Sequence, residues 1–156
     1  MNIMADSPGF DTKHAHQFFS AHCFNSTWKL IDKAKRTEPE NEQMIQCTLA
    51  SLWHWTQRED CTDRNLSIGY WQAARVYALA GEADNARKYA QLCLDITPTE
   101  DPFYLGYAHE AMARAELLLE NKEHAAENLF QARKCAEQVT DSENQKLLVN
   151  DLETLT

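Results

Sequence analysis

From Ser67 to Thr99 the apolar and polar positions alternate with a helical period. Tyr70, Ala73, Ala74 and Tyr77 fall at i, i+3, i+4 and i+7, the spacing of one helical face. Gly81 interrupts that face. A second one follows with Ala83, Ala86, Tyr89, Ala90, Cys93 and Leu94, and Pro98 closes it. The pattern predicts two helices joined by a tight turn. Upstream, a first helix is expected from Asp11 or Thr12 to about Lys35, carrying Ala15, Phe18, Phe19, His22, Cys23, Ser26, Leu30 and Ile31. A second is expected from about Glu40 to Arg58, with Ile45, Leu49, Leu52 and Thr56 in one stripe beside Met44, Thr48, Ser51 and Trp55. The polar run 58–64 reads as a loop, with Asn65 or Ser67 as the cap of the third helix. No alternating β-branched run appears, so no strand is predicted.

Downstream the pattern repeats. Ala113 aligns with Ala74 at an offset of 39 residues (113 − 74), which also carries Tyr70 to His109, Ala73 to Met112, Arg75 to Arg114, Ala86 to Ala125 and Ala90 to Leu129. The second copy spans 106–137 and is degenerate: Glu116 stands at the place of Tyr77, and Glu120 at that of Gly81. A last helix within 141–155 offers Leu147, Leu148, Leu152 and Leu155 to cover the end of the stack. Residues 1–10, around Ser7-Pro8-Gly9, read as a disordered N-terminus and 11–156 as a single domain.

The 67–99 stretch resembles a tetratricopeptide repeat, marked by W-x2-L-G-x2-Y, then A-x3-F, then P. Tyr70 stands at the large position, Ala74 at the small one, Tyr77 at the inner tyrosine, Gly81 at the turn, Ala86 on the second helix and Pro98 at the close. Ala73 and Ala90 depart from the usual leucine and phenylalanine. The 39-residue offset exceeds the usual period of about 34, implying a longer link near 98–103. The resemblance implies an all-α fold, a short right-handed solenoid of about seven antiparallel helices, with the first two helices supplying a third, divergent pair. The N-terminal half is also similar to small bacterial proteins of this repeat type, through Phe24-Asn25-x2-Trp28-x-Leu30-Ile31-Asp32, Arg36-Thr37 and Ser51-x2-His54-Trp55. That similarity brings no activity with it.

Composition narrows the partners. A chain of 156 residues with 44% hydrophobic residues can bury a substantial core. Its net charge of −9 argues against non-specific binding to nucleic acid or to an anionic membrane. No apolar run approaches the roughly 20 residues of a membrane helix, and 1–11 lacks the basic and apolar parts of a signal peptide. The five cysteines are odd in number, spread out and without a C-x-x-C pair, which suggests reduced thiols in a cytoplasmic protein and no metal site.

Repeat geometry directs attention to the first helix of each pair, which in this family lines the concave groove. The groove positions read as Ile68, Trp71, Gln72, Arg75 and Ala78, then Tyr107, Glu110, Ala111, Arg114 and Leu117. Arg75 and Arg114 occupy equivalent places, and arginine presents a planar fork of donors suited to carboxylate. Family members that bind peptide C-termini use basic groove residues as a carboxylate clamp; this chain is similar in its two arginines and lacks the accompanying asparagines and lysines. The alternative assignment pairs Arg114 with Glu110 at i, i+4 and Arg75 with a nearby acid.

Trp53, His54, Trp55 and Trp71 form a second aromatic cluster, suited either to a ligand pocket or to helix packing. Trp53 and Trp55 lie about 200° apart around a helix axis, so at most one fills a given interface. Histidines at 14, 16, 22, 54, 109 and 124 give no metal-binding i, i+4 pair, and no H-E-x-x-H, glycine-rich phosphate loop or G-x-S-x-G motif is present. Two expectations result. The first is a protein- or peptide-binding module without enzymatic activity or cofactor, using Trp71, Gln72, Arg75, Tyr107, Glu110 and Arg114. The second is a small-molecule sensor or enzyme with a pocket between the second, third and fifth helices at Trp53, His54, Trp55 and His109. A homodimer through the first or last helix fits either.

Overall fold

In a computed structural model, which describes residues 9–155, the chain is all-helical, with no strand among the described residues. The helices are α1 (Thr12–Ile31), α2 (Glu38–Thr56), α3 (Asp63–Leu79), α4 (Ala83–Ile96), α5 (Pro102–Leu118), α6 (Lys122–Gln138) and α7 (Ser142–Glu153). Residues 1–8 of the stretch expected to be disordered lie outside the described residues. Among the described residues no helix is long and apolar enough to cross a membrane.

Local chemistry sets the boundaries. Asp11 accepts from the backbone N–H groups of Lys13 at 2.9 Å and His14 at 3.3 Å, satisfying donors that the first turn of α1 leaves unpaired. Arg36 then stops α1: its Nη1 donates to the carbonyls of Leu30 and Ile31, both at 3.1 Å, and of Lys33 at 3.0 Å. The next residue, Thr37, opens α2 in a capping box with Glu40, with Pro39 in the first turn. α3 begins earlier than expected. Thr62 rather than Asn65 or Ser67 is its cap, and Asn65 is the other half of that capping box, donating its backbone N–H to Thr62 and accepting the Thr62 N–H at 3.0 Å.

Consecutive helices pair antiparallel. In α1–α2, His16 meets His54 and Ser51 donates to the Ser20 carbonyl at 2.7 Å. In α3–α4, Ser67 lies 2.6 Å from Thr97 while Tyr77 stacks on Tyr89 at 5.3 Å. In α5–α6, His109 meets Asn128. The first helix of each pair also touches the next such helix: α1 meets α3, α3 meets α5, and α5 meets α7. These neighbours run parallel, since Arg64 pairs with Asp101 and Trp71 with Glu110.

The core is built largely from alanine. Ala73, Ala90, Ala113 and Ala115 are fully buried, and Ala74 is 2% exposed. Ala74, Ala90, Ala111 and Met112 form one cluster between α3, α4 and α5; Ala132, Ala136, Leu148 and Leu152 form another under α7. Small side chains let helix surfaces approach closely, which leaves little room for larger ones. At the end of the stack Leu148 and Leu152 are buried, but Leu147 is 55% exposed.

The α3–α4 and α5–α6 turns close with the same hydrogen bonds. Gly81 has φ 78° and Glu120 φ 58°, both left-handed. The Glu82 N–H donates to the Tyr77 carbonyl and the Asn121 N–H to the Glu116 carbonyl, both at 2.9 Å. This is the Schellman arrangement, in which glycine is preferred because it lacks Cβ.

Candidate functional site

A groove of about 390 Å³ crosses the molecule, and its lining comes only from the odd-numbered helices. α1 contributes Phe24 and Trp28, α3 Ile68 and Trp71, α5 Phe103, Tyr104 and Tyr107, and α7 Leu147 and Asp151. Phe24 and Trp28 reach the same face because they are one helical turn apart, as do Phe103 and Tyr107. The rings touch in series. Trp28 and Trp71 have centroids 5.8 Å apart, Trp71 and Tyr107 5.3 Å, and Tyr107 and Phe103 5.1 Å, the last two edge to face. The result is an aromatic ribbon that crosses from α1 over α3 to α5.

Polar atoms anchor the ribbon from behind. Trp71 Nε1 donates to Glu110 Oε2 at 3.0 Å, and the Tyr107 hydroxyl donates to Asp151 Oδ2 at 2.8 Å. Burial first, and then the bond to Asp151, push the Tyr107 phenol well above its ordinary pKa. It therefore stays protonated and remains a donor.

Beside Trp71 and Tyr107 lies a buried ion cluster. Glu110 is 1% exposed, and its Oε1 accepts from Arg114 Nε at 2.9 Å. Arg114 Nη2 bonds the same oxygen and also reaches Thr154 at 3.2 Å. Arg75 shares this carboxylate but less closely, with Nη1 3.8 Å from Oε1. Arg75 has no hydrogen bond among the described residues, although its side chain is only 21% exposed. Burial and then the like charge of Arg114 lower its pKa, while Glu110 and Asp151 oppose the shift. Arg75 is thus a partly buried guanidinium held only by a long ion pair; because no buried side-chain nitrogen or oxygen among the described residues lacks a hydrogen-bond partner, its nitrogens face solvent.

The residues proposed from sequence divide. Trp71 and Tyr107 line the groove, and Arg75, Glu110 and Arg114 form the cluster next to it. Gln72 lies elsewhere. It is fully buried, accepting from Thr48 at 3.1 Å and donating to the Phe24 carbonyl at 3.2 Å, so it ties α1, α2 and α3 together. Ala111 is likewise a core residue.

The tryptophan and histidine residues of the second expectation do not converge. His54 sits on the outer α1–α2 face, its Nδ1 2.9 Å from that of His16 and its ring stacked on Phe19. Trp53 beside it is 55% exposed, and Trp55 lies under the Arg58 guanidinium at 3.8 Å. His109 faces α6 through Asn128, and α2 makes no contact with α5. Among the described residues no group of three or more His, Cys, Asp or Glu side chains is placed to hold a metal ion.

Sequence reasoning missed Phe24, Trp28, Phe103, Tyr104, Leu147 and Asp151. Phe24 and Trp28 carried a signal in their i, i+4 spacing. Asp151 carried none, because its role depends on where α7 packs. Compared with family models, with curated proteins and with solved structures, the chain matches none.

Proposed function

We propose that this chain is a short, right-handed tetratricopeptide-like solenoid that binds a peptide segment of a partner protein in the aromatic groove. The segment lays apolar side chains on the Trp28–Trp71–Tyr107 ribbon and directs a carboxylate to Arg75. The repeat assignment is supported by the 39-residue equivalence of Gly81 with Glu120 and of Arg75 with Arg114, and by the serial contact of α1, α3, α5 and α7. Five free thiols fit a reducing compartment, and a cytoplasmic setting belongs to the same proposal.

The observation that carries the binding role is Arg75, a guanidinium without a protein hydrogen bond whose nitrogens face solvent, next to an apolar groove. A carboxylate there takes the place of solvent as acceptor for the fork of donors, and ring faces beside it supply area without much loss of side-chain freedom. Arg114 is committed to Glu110 and Thr154, so it holds the cluster while Arg75 recognises the ligand.

Selection from a random peptide library displayed with free C-termini tests the reading. Wild-type protein should enrich sequences with aromatic or aliphatic residues near an acidic group. These peptides should bind more weakly to Arg75→Ala and to Trp71→Ala, and more weakly as salt rises. Peptides that bind both variants as well as wild type would rule the groove out as the binding surface.

A further inference from the structure

The α1–α2 pair brings two thiols to the same level. His16 faces His54, and Ser20 faces Ser51. The stripe of α1 that meets α2 therefore runs through 16, 20, 23 and 27, with spacings of four and three. The opposing stripe of α2 runs through 54, 51, 47 and 44 in the reverse direction. Ser20, Thr27, Met44 and Ser51 on these stripes are all buried, as facing layers must be. In this register Cys23 falls opposite Cys47. The bond from Ser51 to the Ser20 carbonyl, one layer away, shows that the backbones approach closely there, as a disulfide requires.

We propose that Cys23 and Cys47 form a redox-active dithiol that closes to a disulfide by exchange with a low-molecular-weight disulfide such as oxidised glutathione. One thiolate attacks the reagent's S–S bond, forming a mixed disulfide and expelling the first glutathione thiolate. The other then attacks the protein sulfur of that mixed disulfide and expels the second. The protein loses two electrons and two protons, and one oxidised glutathione becomes two reduced ones.

Both thiols are half-buried, within reach of a small reagent. Cys93 is enclosed, bonded to Ser67 and Thr97, and Cys135 is buried on α6. Cys61 lies in the α2–α3 loop, on neither stripe. Burial raises the pKa of both Cys23 and Cys47, and the nearby Cys47 raises that of Cys23 further, in keeping with the proximity the register gives. Exchange should therefore be slow near neutrality and speed up with pH. The two thiols share no hydrogen bond, so closure needs a side-chain rotation at one of them.

The test uses the full chain, reduced, incubated with oxidised glutathione, blocked with N-ethylmaleimide and mapped after trypsin. The expected product is a linked pair of peptides, 14–29 and 37–58, with Cys61, Cys93 and Cys135 alkylated and a thermal midpoint several degrees above that of the reduced protein. Cys23→Ser and Cys47→Ser should each give no linked peptide and leave the remaining thiol as a glutathione mixed disulfide. The wild-type peptide map decides the matter even if a serine variant fails to fold. Cys23 and Cys47 recovered fully alkylated, separately glutathionylated or linked to other cysteines would overturn the proposal.

Discussion

Trp71 Nε1 donates to Glu110 Oε2 at 3.0 Å, and the two residues lie 39 apart (110 − 71), the separation that also relates Gly81 to Glu120. The groove wall and the ion cluster beside it are therefore one structure. Glu110 holds the tryptophan in place while neutralising Arg114. Replacing Glu110 by alanine strands two largely buried guanidinium groups, and should cost about 3–5 kcal/mol of stability. Glu110→Gln keeps an acceptor for Trp71 and should cost less. Urea denaturation of the three proteins checks the order.

Gly81 and Glu120 make the same left-handed turn, but only one of them is glycine. A Cβ in that conformation costs on the order of 1–2 kcal/mol. Gly81→Ala should therefore destabilise, and Glu120→Gly should stabilise by about 1 kcal/mol, the exposed Glu120 side chain giving up little. Opposite shifts in thermal midpoint are the expected result.

Ala74 is enclosed by Ala90, Ala111 and Met112. Leucine at this position overpacks the junction of α3, α4 and α5, and should cost about 1–3 kcal/mol. An unchanged denaturation midpoint for Ala74→Leu would contradict the close packing described above.

Burial first, and then the neighbouring His16, hold His54 below the ordinary histidine pKa of 6.5. The neutral ring is thus favoured in the folded state. As pH falls below 6.5 the unfolded chain takes up the proton first, so stability is retained above that value and lost on acidification. The thermal midpoint should fall between about pH 7.5 and pH 5.5, and fall less in His54→Gln.

Cys93 is fully buried and its thiol is pushed up to about 11, chiefly by burial. Cys61 is half-exposed. Native-state alkylation at neutral pH should modify Cys61 well before Cys93, and mass spectrometry of the time course reads the difference.

The helices were legible because their signals are local. Asp11 as a cap and Gly81 at a turn each act within a few residues, and the alanine stripes state which face packs. At the start of α3, where Asn65 or Ser67 is expected to cap, the helix begins earlier at Thr62: a capping box with Asn65 satisfies more orphan donors than a single cap. The groove was legible in part, because the 39-residue offset carries Trp71 and Arg75 onto Glu110 and Arg114. Gln72 was misread as a groove residue because a one-position rotation on a helix decides between groove and core. Its amide, matched by Thr48 and the Phe24 carbonyl, is stable inside.

The sequence by itself determined that the described residues are helical and about where each helix lies, since period, caps and turn residues act over one or two helical turns. Only the tertiary structure decided that Phe24, Trp28, Trp71 and Tyr107 share one groove and that Arg114 is hydrogen-bonded to Glu110 and Thr154 while Arg75 keeps its donors toward solvent. It alone also set Cys23 opposite Cys47 and kept His54 apart from His109. These relationships join residues tens of positions apart, and packing distances of a few ångströms settle them, which no spacing along a single helix encodes.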